Sequence, residues 1–218
     1  LGEELYEQKF NSLPVIEQII LSISGVPGDD HRSILNSRLL RNYEGMDIQD
    51  LFGVPTLVVN DSLPNGGGAV SHHLHELLSP VLSINIGTYA CFAVIEFNTQ
   101  TKKFTRISGH EDWQSIDFPE AMGGHNNKDT NKTVYTEKFN NSINEVLQKY
   151  AESNEPEPMS IIVSGGTSHK LIDNKIDRSV NKGRPLLLTQ LNSTELPLIG
   201  CDIIGSMSNF MDIVEYHN

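Results

Sequence analysis

The sequence predicts an α/β fold built on a mixed sheet. Two observations carry that expectation. Short runs rich in Ile, Val and Leu alternate with stretches of helical character along most of the chain, the pattern of strands joined by helical crossovers. Within that alternation sits a run of strands with only tight turns between them: Val81–Ile86, a Gly87-Thr88 turn, Tyr89–Phe97, an Asn98–Thr101 turn and Lys103–Ile107. Crossovers give parallel neighbours and tight turns antiparallel ones, so one sheet has to hold both.

Taken in order, Val15–Ile23 reads as a strand running into the turn Ser24-Gly25-Val26-Pro27-Gly28. Asp47–Phe52 reads as a short helix closed by Gly53-Val54-Pro55. Thr56–Val59 is a buried strand that stops at Asn60-Asp61. Gly66-Gly67-Gly68 is expected to be a flexible turn before a helix over Ala69–Leu78, which Pro80 ends. Residues 109–133 have no hydrophobic period and read as loop. Tyr135, Phe139, Ile143, Val146, Leu147 and Tyr150 recur at helical spacing and predict an amphipathic helix. Ser160–Val163 is a buried strand ending in Ser164-Gly165-Gly166-Thr167, where a helix should start. Leu186–Leu188 is a short strand, and Pro197–Met211 a terminal helix.

The chain has 218 residues, 38% of them hydrophobic, enough for one compact unit or two small lobes. Its net charge of -12 argues against nucleic acid or an anionic membrane as partner, since both demand a positive face. An anionic ligand held locally by backbone N–H groups remains compatible with it. The two cysteines, Cys91 and Cys201, form no CxxC pair, which points away from a zinc knuckle or disulfide framework and toward a reducing, cytoplasmic setting. No run approaches the roughly 18 apolar residues of a membrane span. The chain starts at Leu1 and enters a helix-like stretch, residues 2–10, which reads as the interior of a longer protein.

Four segments hold candidate chemistry: Ser24-Gly25-Val26-Pro27-Gly28 with Asn36 downstream; Gly53-Val54-Pro55 leading through the strand to Asn60-Asp61; Ile84-Asn85-Ile86-Gly87-Thr88 before a strand; and Ile161-Ile162-Val163-Ser164-Gly165-Gly166-Thr167. Singly, each is an ordinary turn or cap. In this order and spacing they resemble the glucokinase and ROK (repressor and sugar kinase) branch of the actin-like ATPase superfamily. Ser108-Gly109-His110-Glu111-Asp112 resembles that branch's Gly-His element.

The resemblance implies an actin-like ATPase (ribonuclease H-like) fold of two lobes with mixed sheets around a cleft, the first lobe incomplete. Residues 1–62 would belong to the small N-terminal lobe and 63–205 to a larger lobe with the nucleotide-binding elements. Residues 206–218 would form a helix packing back toward the small lobe. It further implies ATP and Mg2+ as cofactors, a hexose such as glucose as substrate, and a possible homodimer. Asp61 is the implied base that takes the proton of the attacking sugar hydroxyl. Asn36, Asn60, His110 and Glu111, together with Asp61, are the implied sugar ligands. Gly87 and Thr88 would meet the β- and γ-phosphates, and Gly165, Gly166 and Thr167 the adenosine side.

Three departures weigh on catalysis. The branch places Glu three residues before the His, where this chain has Ile107. It follows Gly-Thr with glycines, where this chain has Tyr89-Ala90. The Asp-x-Gly-x-Thr hairpin that opens the superfamily is expected upstream of Leu1. A cysteine-rich zinc motif is not found, so no structural metal is expected. His72-His73-Leu74-His75 reads as a polar helix surface. A catalytically degenerate sugar-binding or regulatory relative is the second reading. An actin-like scaffold is the third, and the Asn-Asp strand end speaks against it.

Overall fold

The structure, a computed structural model, describes residues 15–37, 39–86, 89–110, 116–117, 141, 143–148, 150–152, 156–165, 183–189, 194–207 and 213–216. Strand β1 (Ile19–Ile23) runs parallel to β4 (Thr56–Asn60) in a small sheet. Between them, β2 (Gly25–Pro27) folds antiparallel onto β3 (Ile34–Ser37), so the expected Gly/Pro turn is in part a strand. Helix α1 (Ile48–Phe52) starts at Asp47, whose carboxylate accepts the Asp50 N–H, and ends on Gly53 at φ 70, a left-handed stop that favours glycine. Every residue of β4 is buried. Val58 packs with Ile23, Ile34 and Ile48 on one side, and Leu57 and Val59 join the main core on the other.

The main sheet is the mixed one the sequence predicts. Strands β5 (Val81–Ile86), β6 (Tyr89–Phe97) and β7 (Phe104–His110) form an antiparallel meander. Strand β8 (Ile116–Asp117) pairs with the start of β6. Strands β9 (Ser160–Ser164) and β10 (Leu186–Leu188) add in parallel beyond β5, giving the order β10-β9-β5-β6-β7.

Strict alternation assigns the sheet's two faces. Leu82, Ile84, Ile86, Phe92, Val94, Ile161 and Val163 meet Ile143, Val146, Leu147 and Tyr150 of the helix over residues 141–152 (α3 below). The buried Tyr150 hydroxyl is satisfied by Ser108 Oγ at 2.9 Å, as a phenol taken out of water requires. Val81, Ala93, Ile95, Ile107 and Ile162 face the opposite core, under α2 (Ser62–Ser71) and α4 (Leu196–Ser206).

Two expectations are corrected. Gly66-Gly67-Gly68 is not a turn but the middle of α2, which spans Ser62–Ser71, so the helix starts seven residues earlier than expected. Helix propensity of glycine is poor, yet here packing overrides it. A Cβ on Gly68 would land on the Leu196 carbonyl, and one on Gly200 of α4 on the Pro64 carbonyl. The two helices therefore cross backbone against backbone, a separation only residues without side chains permit. The second correction concerns the C-terminus. α4 ends at Ser206, and Ile213–Tyr216, within the segment expected as helix, forms β11, which pairs in parallel with β7. Ile213 and Val214 are β-branched and favour a strand, and the free edge of β7 offers backbone partners.

Candidate active site

The carboxyl end of β4 and the start of α2 share one turn, and the candidate residues Asn60 and Asp61 occupy it. Asn60 is 2% exposed. Its Nδ2 donates to the Gly25 carbonyl at 2.7 Å and its Oδ1 accepts the Ser62 N–H at 2.8 Å. The amide thus ties β2 to the first turn of α2 and holds the Asp61 backbone between two anchored points. Asn60→Ala removes the bonds made to the half-buried Gly25 carbonyl and the buried Ser62 N–H. It is expected to cost about 2–3 kcal/mol of stability, measured by urea unfolding.

Asp61 is fixed by its backbone. Its N–H donates to the Ile23 carbonyl at 2.8 Å, and its carbonyl accepts from the Asn65 N–H and from Asn65 Nδ2 at 2.7 Å. The carboxylate makes no capping hydrogen bond to α2, so it is not consumed as the cap that an Asn-Asp pair often supplies. Burial pushes its pKa up to about 6, against the opposing pull of the Asp61 and Ser62 N–H groups.

On the face that α2 covers, the main sheet ends in a polar row. Ser164, Asn85 and Cys91 lie side by side on β9, β5 and β6: Asn85 pairs in register with Ser164 on one side and with Cys91 on the other. All three continue the alternation that faces α2, one step past Ile162, Ser83 and Ala93. Asn85 Nδ2 donates to Ser164 Oγ at 3.3 Å. Burial, and secondarily the negative charge of Asp61, push the Cys91 thiol up to about 12. Cys91 therefore stays a neutral thiol at any working pH.

Two glycines mark the rim. Gly165 follows β9 at φ 106, and a Cβ there would collide with the Ile86 backbone. The chain leaving β9 is thereby pressed against the end of β5, the strand that leads into residues 87–88. Gly109 on β7 lies against α2: a Cβ on it would meet the Leu63 side chain at 2.8 Å and Ser62 Oγ at 3.4 Å. The Gly109-His110 strand end is in this way brought beside the Asp61 turn.

Of the expected site residues, Asn60 and Asp61 occupy the β4–α2 turn, and Gly165 lies against the end of β5. His110 ends β7 in register with Tyr216 of β11, and its side chain lies outside the described residues. Asn36 is exposed on β3, opposite Val26. Gly87, Thr88, Glu111, Gly166 and Thr167 lie outside the described residues. Ile107 is fully buried among the apolar residues under α2. His72, His73 and His75 lie in a turn after α2 rather than on a helix, and His73 bonds Glu76 Oε1 and Thr189 Oγ1. Among the described residues no group of three His, Cys, Asp or Glu side chains is arranged for a metal ion. Asn85, Ser164 and Cys91 were not singled out from the sequence. The signal for Asn85 was present: Ser83 and Asn85 interrupt an apolar strand at alternate positions, which places both on one face.

No protein-family profile matches the sequence, and no curated protein matches it by sequence. Solved structures match the fold. The inorganic polyphosphate/ATP-glucomannokinase of Arthrobacter sp. strain KM is 14% identical, with 94% of this chain and 80% of that one covered and a TM-score of 0.60. The ROK hexokinase of Thermus thermophilus is 13% identical, with 91% and 81% covered and a TM-score of 0.53. A ROK-family transcriptional regulator, a homologue of the E. coli MLC protein, is 10% identical, with 93% and 65% covered and a TM-score of 0.51. Mixed sheet, helix placement and these likenesses agree: the chain is similar in fold to solved sugar kinases, a ROK hexokinase among them, and to a ROK-family regulator.

Proposed function

We propose that this protein is an ATP-dependent sugar kinase that phosphorylates a hexose, with Asp61 as general base. The observation that carries the proposal is the Asp61 carboxylate: largely withdrawn from water, making no capping bond to α2, and set at the carboxyl end of the parallel strand β4. Ligands of open α/β sheets bind at that end. A base with pKa about 6 is ionised at neutral pH yet basic enough to take a hydroxyl proton as the oxygen attacks phosphorus.

In this reading Asp61 orients the sugar hydroxyl and accepts its proton, while the Asn60 amide keeps the Asp61 turn in place. His110 and Glu111 extend the sugar side from the end of β7, and Asn36 extends it from β3. Gly87, Thr88, Gly165, Gly166 and Thr167 form the nucleotide side. The close approach of Gly165 to Ile86 fits a backbone that must come near an anion. Mg2+ bound with the nucleotide supplies charge neutralisation of the phosphates. Residues 1–62 and 63–205 are assigned to the two lobes that flank the crevice.

A coupled assay of ADP formation over a panel of hexoses tests the proposal, and absence of sugar-dependent turnover with every hexose would sink it. The pH dependence of kcat/KM should fall off below about pH 6, as Asp61 becomes protonated. A flat profile between pH 5 and 7 would argue against Asp61 as the base.

One observation favours a second reading, a sugar-binding or regulatory relative without turnover. The position where sugar kinases of this kind carry Glu holds Ile107, and that side chain is sealed in the core. The fold likeness to a transcriptional regulator agrees with it. Thermal stabilisation by a hexose in the absence of any ADP production would select this reading.

A further inference from the structure

We propose that Asn65 is a positioning residue for Asp61: together with Asn60 it clamps the peptide between Asp61 and Ser62 from both ends and so fixes the aim of the Asp61 carboxylate. The catalytic consequence rests on the kinase reading above, in which that carboxylate is the base. Asn65 Nδ2 donates to the Asp61 carbonyl at 2.7 Å, and Asn60 Oδ1 accepts the Ser62 N–H at 2.8 Å. That carbonyl and that N–H belong to one planar unit and turn together. One amide holds the unit by its acceptor and the other by its donor.

The main chain of α2 holds this peptide less firmly. The helical bond from the Asn65 N–H to the same carbonyl is 3.2 Å long, against 2.7 Å for the side-chain bond. Pro64 has no N–H to add. Gly66, Gly67 and Gly68 follow directly, and glycine is a weak helix former. An aspartate at the start of a helix commonly caps it with its own carboxylate. Asp61 makes no such bond; the two asparagines take over the task, and the carboxylate is spared from it. Both arms of the clamp are anchored. Asn60 Nδ2 is bonded to the Gly25 carbonyl of β2. Asn65 follows Pro64, whose carbonyl lies against Gly200 of α4.

The orientation of this peptide decides what the carboxylate meets. The N–H groups of Asp61 and Ser62 favour the ionised form, against the larger opposing effect of burial. Tilting the plane would swing the Ser62 N–H away and bring carbonyl lone pairs round in its place. A donor would be exchanged for an acceptor, and the ionised form would lose support. Among the described residues, Cys91 on β6 is the titratable side chain that feels the Asp61 charge, and its thiol is neutral throughout this range. The sign is therefore set: releasing Asn65 raises the pH at which Asp61 becomes protonated.

Full-chain wild type, Asn65→Ala and Asn65→Gln are compared by 13C NMR titration of the Asp61 carboxyl, assigned by its loss in Asp61→Asn, and by the pH dependence of kcat/KM. Alanine favours helix, so the first variant removes the bond without undermining α2. In Asn65→Ala the carboxyl should titrate higher by about half a unit or more, and the acid limb should move up with it. Its kcat should fall about 10-fold with the sugar KM within about twofold, because a misaimed base weakens the chemical step rather than binding. Asn65→Gln keeps an amide donor and should bring both back toward wild type. A merely structural role would lower the melting temperature of Asn65→Ala and leave the titration in place. An unshifted Asp61 carboxyl in Asn65→Ala, or an equal shift in both variants, overturns the inference and leaves the kinase reading standing. A shifted carboxyl in Asn65→Ala, with a wild type that turns over no hexose, overturns the kinase reading and leaves the clamp standing.

Discussion

Replacing Asp61 with Asn is expected to lower kcat by two to four orders of magnitude while changing sugar affinity only a few-fold. General-base catalysis by a positioned carboxylate contributes about that much. Asn is nearly the same shape and keeps hydrogen-bonding capacity toward a sugar, so the loss isolates proton transfer. Equal losses in turnover and affinity would instead mean that Asp61 only holds the sugar. The same substitution should stabilise the protein, and the sign follows from the pKa. Asp61 titrates near 6 in the folded chain against an ordinary value of 3.8, so the native state favours the protonated form. That favour is fully present below about pH 4 and lost as pH rises through 6. Above pH 6 the ionised carboxylate is a burden that Asn removes. Asp61→Asn should therefore be more stable than wild type by on the order of 1–3 kcal/mol at pH 7–8, and no more stable below about pH 4. Urea unfolding at pH 4 and pH 8 reads the difference directly. A variant that is inactive and more stable at neutral pH carries the signature of a functional group held at the expense of the fold.

The largest effect on stability is expected at Gly200. A methyl group there falls on the Pro64 carbonyl, which is backbone and cannot rotate away. Gly200→Ala should cost about 3 kcal/mol or more, since the helices must separate along the whole crossing. Gly205 supplies the control on the same helix. A Cβ there meets its nearest atom, from Ile20, at 3.6 Å, an ordinary contact. Gly205→Ala should stabilise by up to about 1 kcal/mol through helix propensity alone. Urea midpoints for the pair decide the matter: similar midpoints would refute the backbone-to-backbone crossing of α2 and α4.

The contrast between those two glycines explains what was and was not legible in the sequence. The strands around Thr56–Asn60, Val81–Ile86 and Ser160–Ser164 could be read because their apolar runs are buried on both faces. The helix over residues 141–152 could be read because Ile143, Val146, Leu147 and Tyr150 share one face. The start of α2 could not. Its three glycines are poor helix formers, and the partners that need them bare are distant in sequence: Gly66 lies close on Ser83, Ala93 and Ile95 of the sheet, and Gly68 on Leu196 of α4, more than a hundred residues away. β11 was missed for a similar reason: a short β-branched run inside an expected helix becomes a strand because the edge of β7 is there to receive it.

At the candidate site the order of motifs was enough to single out Asn60 and Asp61, and the burial of Asp61 adds the physical cause of its raised pKa. The division of labour within the pair was not legible. Asn60, expected at the sugar, is engaged by the fold on both its donor and acceptor sides. Asn85 and Ser164, 79 apart in sequence, come together only through sheet register: the alternation of Ser83 and Asn85 marks their face but not the partner beside it.

The glycine crossing of α2 and α4 also constrains motion. Where no side chain separates two backbones there is no rotamer to switch, and neither helix can slide without its carbonyls colliding. Domain closure needs a few residues able to absorb changes in φ and ψ, and this contact offers none. Asp61 therefore sits at the tip of a stiff lever, and any fulcrum lies outside the locked pair. The carboxylate's aim relative to α4 is set once, when the chain folds.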